Sequence, residues 1–141
     1  MREIVDKRLS PAEQEALFGS AHRERIDRLI DRSGGYPREL IKFLREAVEL
    51  EHPLSEHAFE LLLADRAGHY CRLVPDDAIP LLRDIHNTQP RLRLPRSNAD
   101  TAELTDMLLA NNLLMLYQNH DEWTDVNPAI VSLLDAEPDD A

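Results

Sequence analysis

The sequence predicts a mainly α fold in two parts, a helical bundle followed by a unit of helices and one β-hairpin. Three observations carry this reading. Apolar residues recur at spacings of three and four through most of the first two thirds of the 141 residues. Proline, glycine and serine fall between these runs, where they start or stop helices. Near residue 113 the pattern changes to a short apolar run, turn chemistry and an alternating run, which is the signature of a hairpin. A hydrophobic content of 43% with 30% charged residues is that of an ordinary globular chain and argues against disorder. No stretch approaches the roughly 18 uncharged apolar residues of a membrane span, and the opening MREIVDKRL has no apolar leader core. The expectation is a cytoplasmic protein without a membrane segment.

Each element has a local cause. Ile4, Val5 and Leu9 form a first stripe. Ser10-Pro11 reads as an N-cap followed by proline at the first helical position, opening a helix through Leu17 and Phe18 that Gly19 stops. Ser20 is expected to cap the next helix, with Ile26, Leu29 and Ile30 inward and Arg23, Arg25, Arg28 and Arg32 alternating with acids on the wet face. Ser33-Gly34-Gly35 ends it, because glycine adopts the left-handed C-cap conformation at little cost. Pro37 begins a helix whose apolar face comprises Leu40, Ile41, Phe43, Leu44, Val48 and Leu50. His52-Pro53 breaks it, and Ser55-Glu56 starts another through Phe59, Leu62 and Leu63 toward Tyr70 and Leu73, with Gly68 weakening its far end. Pro75-Asp76-Asp77 opens a helix with Ile79, Leu81, Leu82 and Ile85 inward.

The stretch from Asn87 to Arg96 is a breaker-rich connector. Asn98 or Asp100 then caps a helix from Thr101 to Ala110 that closes at Asn111-Asn112. Leu113–Tyr117 and Glu122–Val126 read as two strands joined by Gln118-Asn119-His120-Asp121, and Pro128 starts a last helix through Leu134. Helix, helix and two-stranded ribbon is the order of a winged helix. The domains expected are 1–74, a helical bundle, and 75–134, a winged-helix domain, with 135–141 a disordered acidic tail.

The net charge of −11 is uneven along the chain. Residues 1–50 balance 10 basic against 10 acidic groups, whereas residues 101–141 carry 9 acidic groups and no Lys or Arg. Such a C-terminal part repels phosphate and argues against nucleic acid as a partner. In the helix 101–110 the charged residues are Glu103 and Asp106, so a recognition helix without a base is expected, leaving Arg91, Arg93 and Arg96 of the connector as the cations near it. Cys71 is the single cysteine and reads as a small buried hydrophobe, consistent with a reducing compartment. No histidine or cysteine spacing matches a common metal-ligand pattern. Tyr117 and Trp123 fall on opposite strands, where they pack on each other or, if exposed, anchor a partner.

The most specific local signal is Ser33-Gly34-Gly35-Tyr36-Pro37-Arg38-Glu39-Leu40. Two glycines end one helix, proline begins the next, and an arginine sits in the new first turn. A helix N-terminus adds free N–H groups and partial positive charge to the arginine fork, a combination suited to phosphate. A tight helical corner with Arg38 on the surface would use the same residues.

This segment resembles the sensor 2 element of AAA+ ATPases, particularly the origin-recognition-like and STAND-like members, in which GG-x-PR opens a helix of the small helical lid. The helices from Ser10 to about Leu73 resemble that lid, and residues 76–134 the winged-helix domain that follows it. The resemblance implies that Arg38 contacts the γ-phosphate of a bound ATP, that Gly34, Gly35 and Pro37 set its placement, and that Tyr36 lines the adenine side. It further implies an upstream or separate nucleotide-binding core that holds Mg²⁺, a protein partner reached through the winged helix, and admits a homo-oligomer. The chain departs from a complete ATPase. It contains no G-x-x-x-x-G-K-[ST] and no apolar strand ending in paired acids, so it is not expected to hydrolyse ATP alone. The alternative reading is a winged-helix DNA-binding or adaptor protein with no nucleotide role.

Overall fold

A computed structural model describes residues 1–88, 99–118 and 121–136, and the side chains of all of these but residues 99 and 100. The architecture is mainly α with one two-stranded antiparallel hairpin. The helices are α1 (Arg2–Asp6), α2 (Pro11–Phe18), α3 (His22–Arg32), α4 (Pro37–Glu49), α5 (Glu56–Cys71), α6 (Ile79–Asn87), α7 (Ala99–Ala110) and α8 (Val131–Asp135), with β1 (Leu114–Gln118) and β2 (Glu122–Val126) between α7 and α8. By internal contacts the chain forms two compact units, Met1–Ala67 and Gly68–Ala141. The connector arginines Arg91, Arg93 and Arg96, the cap candidate Asn98, the turn residues Asn119 and His120, and the tail from Glu137 onward lie outside the described residues.

In the first unit α2 starts on a complete capping box. The Ser10 hydroxyl accepts from the Glu13 N–H at 3.3 Å, and the Glu13 carboxylate accepts from the Ser10 N–H at 2.7 Å, satisfying two donors that the helix start would leave free. Gly19, at φ 73°, ends the helix as expected. The start of α3 differs from expectation. Its N-cap is Ala21 rather than Ser20, and no side chain caps it. The His22 ring nitrogen Nδ1 instead lies 3.2 Å from the Gly19 carbonyl. Val5, Leu17, Phe18, Ile26, Leu29, Leu40, Phe43, Leu44, Phe59, Leu62 and Leu63 are buried in one continuous core. Phe18 and Phe59 meet edge to face, with centroids 6.4 Å apart.

Two expectations about this core are corrected. The broad apolar face of α4 is only partly used, since Val48 is 50% and Leu50 40% exposed. Val48 lies in the last turn of α4 and Leu50 just beyond it. Arg25, expected on the wet face, is only 8% exposed. Its Nη1 donates to the carbonyls of Phe18 at 3.0 Å and Leu54 at 2.6 Å, and its Nη2 to the Glu56 carboxylate at 2.7 Å. The guanidinium also lies 5.3 Å from the Phe59 ring centroid, with Arg28 at 5.0 Å from the same ring. Helical periodicity places an arginine on a face, but it cannot see carbonyls that a later segment brings to that face.

In the second unit, Gly68 does not interrupt α5, which continues to Cys71. Leu82 and Ile85 of α6 are buried, Ile79 and Leu81 half-buried, and α6 packs on β2 and α8. α7 starts at Ala99, so Asp100 lies inside its first turn rather than at its cap. The helix closes where Asn112 takes φ 55°, a left-handed conformation that asparagine tolerates better than most residues. The hairpin register pairs Leu114 with Val126 and Tyr117 with Trp123. Leu116 is 42% exposed, so β1 is buried at Leu114 and Met115 but not along its whole length. The buried Asn127 ties the hairpin exit down: its side-chain amide donates to the Asn112 carbonyl at 2.8 Å and its Oδ1 accepts from the Ala129 N–H at 2.9 Å. Arg83 of α6 donates to the carbonyls of Leu134 at 2.9 Å and Ala136 at 3.2 Å, capping the end of α8.

Two kinds of prediction follow from the first unit, the first of them for substitutions. Arg25→Met keeps the packing stem but leaves the Phe18 and Leu54 carbonyls without their donor, at about 1–3 kcal/mol for a buried group so stranded. Urea unfolding of the full chain should show a loss of at least about 2 kcal/mol, and a loss below about 0.5 kcal/mol would contradict the arrangement. Ser10→Ala should cost roughly 1 kcal/mol as the loss of a cap. The second kind concerns acid. The backbone N–H and hydroxyl of Ser10 hold the Glu13 carboxyl below the usual range, and the Arg25 hydrogen bond does the same for Glu56. A carboxyl lowered on folding stabilises above its unfolded value, about 4.3, and loses that contribution as the pH falls through the folded value. The Glu13→Gln, Glu56→Gln double variant should therefore lose stability less steeply than the parent below about pH 4.3.

Candidate functional site

The corner between α3 and α4 is built by backbone conformation. The Ser33 N–H donates to the Leu29 carbonyl at 2.9 Å and its hydroxyl to the Ile30 carbonyl at 2.6 Å, and Ser33 is fully buried. Gly34 at φ 60° and Gly35 at φ 76° both take the left-handed conformation. Two successive residues in that region turn the chain sharply, and side chains at both would be strained. The Gly34 N–H donates to the Asp31 carbonyl and the Tyr36 N–H to the Ser33 carbonyl, which closes the turn. Tyr36 is the N-cap of α4 in an extended conformation, and Pro37 occupies the start of the helix, where no N–H is needed.

Arg38 follows in the first turn and is exposed. Among the described residues no carboxylate pairs with it, although Arg2, Lys7, Arg25, Arg28, Lys42 and Arg66 each pair with one. Glu39, beside it, turns the other way. It is 3% exposed and accepts from Lys42 Nζ at 2.7 Å. The first turn of α4 thus sends its carboxylate inward and its guanidinium outward. Gly34 and Tyr36 are half-buried and Gly35 and Pro37 exposed, so the expected residues form one contiguous corner. Three and seven residues beyond Arg38, the same side of α4 carries Ile41 and Arg45.

In the second unit α7 presents exposed Glu103 and Asp106, and the hairpin exposed Asp121 and Glu122. Tyr117 and Trp123 stack across the strands at 4.2 Å between centroids and 18° between planes, each half-buried. Cys71 is half-buried rather than fully buried, its Sγ 3.9 Å from the Ala129 carbonyl. Burial pushes its thiol above the ordinary range, against the opposing charge of Arg72, so it is a poor nucleophile at neutral pH. Among the described residues no three His, Cys, Asp or Glu side chains gather as a metal site, and no helix is long and apolar enough to cross a membrane.

Sequence reasoning missed the inward turn of Glu39 and the approach of the His86 ring to Asp125, with Nδ1 3.6 Å from the carboxylate. Both depend on which neighbours tertiary packing delivers. A lysine three residues after Glu39 was the one available signal. In comparison with protein-family models, curated proteins and solved structures, nothing matches this chain.

The corner has a separable stability signature. Gly35→Ala forces a Cβ into a left-handed residue and should cost about 1 kcal/mol or more in thermal or urea unfolding. Arg38→Ala, at an exposed position with no partner among the described residues, should leave stability within about 0.5 kcal/mol of the parent. A large loss on Arg38→Ala would mean that the arginine serves the fold.

Proposed function

We propose that this chain is the lid and winged-helix module of an AAA+/STAND-type ATP-binding protein, with Arg38 as the sensor 2 arginine contacting the γ-phosphate of bound ATP. The observation that carries the reading is the α3–α4 corner. Two left-handed glycines and a helix-opening proline hold Arg38 exposed at the N-terminus of α4, with no carboxylate partner among the described residues. A guanidinium held this way combines a bidentate fork with the positive end of a helix, both suited to a terminal phosphate. Gly34, Gly35 and Pro37 place the arginine, and Tyr36 lies toward the adenine. ATP and its Mg²⁺ are held mainly by a nucleotide-binding core, upstream or on a separate chain, that supplies the phosphate-binding loop this sequence lacks.

In this scheme ATP binding pulls the lid through Arg38, and the second unit relays the motion to a protein partner or adjacent subunit. The helix–helix–hairpin order of α6, α7, β1 and β2 supports the winged-helix assignment. Its carboxylate-bearing surface supports a protein rather than a nucleic acid as partner.

The test is Arg38→Ala in the complete ATPase. ATP turnover should fall, or should continue without the nucleotide-dependent conformational change. Unchanged turnover together with unchanged assembly would overturn the sensor role. DNA titration of the chain at stepped salt checks the second unit. Binding should be absent at physiological ionic strength, and saturable binding with a steep salt slope would favour a DNA-binding winged helix instead.

A further inference from the structure

The C-terminal half of α4 carries a surface feature independent of the nucleotide reading. A groove of about 410 Å³ runs between α4 and the segment joining α1 to α2. It is lined by the apolar residues Leu9, Ile41, Leu44 and Val48 together with the charged Arg8, Arg45 and Glu49. Val48 is half exposed here, at the C-terminal end of a helix whose other apolar residues are largely covered. The groove is of ordinary ligand-site size but is bounded by only two segments, so it suits an extended or helical segment better than an enclosed small molecule.

Charge sets the occupant. In a chain of net charge −11, six of the eleven Lys and Arg residues of the first unit, Arg2, Lys7, Arg25, Arg28, Lys42 and Arg66, pair with carboxylates of the chain. The cations at this groove do not. Arg45 has no ion pair among the described residues, Glu49 one turn on included, and the recorded bond of Arg8 is a long one, 3.5 Å, to the Ile4 carbonyl in its own turn. Two uncommitted guanidiniums beside an apolar lining complement a segment that presents apolar side chains at helical spacing with carboxylates alongside. We propose that this groove docks an acidic amphipathic helix of a partner protein. The partner's apolar face lies on Ile41, Leu44 and Val48, its carboxylates pair with Arg8 and Arg45, and Glu49 keeps acidic side chains away from its own end.

The experiment uses the full chain and two fluorescein-labelled amphipathic peptides with the same leucine positions, one with glutamate and one with lysine on the polar face. Fluorescence anisotropy should show saturable binding of the glutamate peptide and at least tenfold weaker binding of the lysine peptide. Amide NMR shifts should be confined to Leu9 and the 41–49 stretch of α4. Arg45→Glu should weaken the glutamate peptide at least tenfold and strengthen the lysine peptide, while Val48→Asn should weaken the glutamate peptide. An unchanged unfolding midpoint in both variants establishes that the fold is intact. Absence of binding, equal binding of both peptides, or shifts elsewhere would overturn the proposal. So would sedimentation showing a dimer whose dissociation tracks Arg45→Glu, which would make a second copy of this chain the occupant.

Discussion

The first unit depends on one buried cation. Arg25 projects from the first turn of α3 and donates to the carbonyl that ends α2, to the carbonyl that precedes α5 and to the first carboxylate of α5. Those carbonyls lie where helices stop or loops turn, and so lack partners of their own kind. One planar fork reaching three acceptors joins segments nearly thirty residues apart, which no single neutral donor could do. Phe59 covers the guanidinium, and Phe18 meets the edge of Phe59, so the polar contact and the apolar core are continuous. The cost is visible in Nε, which is buried without an acceptor among the described residues.

Fixing α3 has a consequence at its far end. Leu29 and Ser33 carry the helix into the Gly34–Gly35 turn, so the direction in which α4 departs follows from how α3 is held. Arg38 inherits that direction. Because Glu39 turns inward to Lys42, the first turn of α4 shows the surface a cation in an otherwise acidic chain. Two turns on, Arg45 repeats the theme beside an apolar lining, and a single helix face thereby offers a phosphate-suited end and a carboxylate-suited groove. Both rest on the same feature, guanidiniums with no carboxylate partner among the described residues.

The second unit is organised differently. Its polar keystones are neutral or capping interactions: Asn127 across the hairpin exit, Asn112 in a left-handed turn, and Arg83 on the carbonyls that end α8. Its surface charge is carboxylate on α7 and on the hairpin. A unit assembled this way keeps its stability in packing and backbone satisfaction.

Much of the fold was legible in the residues because it rests on local causes. Ser10-Pro11, Gly19, Gly34-Gly35 and Pro37 act through their own backbone preferences, and the apolar spacing of Ile26, Leu29, Leu40 and Phe43 follows from helix geometry. The motif at 33–40 was legible for the same reason, since conformation and position in the first turn are short-range properties. Arg25, Glu39 and Val48 were not. The environments of Arg25 and Glu39 are decided by Leu54, Phe59 and Lys42 and that of Val48 by what its neighbours leave uncovered, and a periodic pattern contains no information on what a distant segment brings. By itself the sequence determined which segments are helices, where the corner turns and where the charge lies. Only the tertiary structure decided which arginines are used up inside the protein and which remain outside, because pairing is a property of neighbours in space.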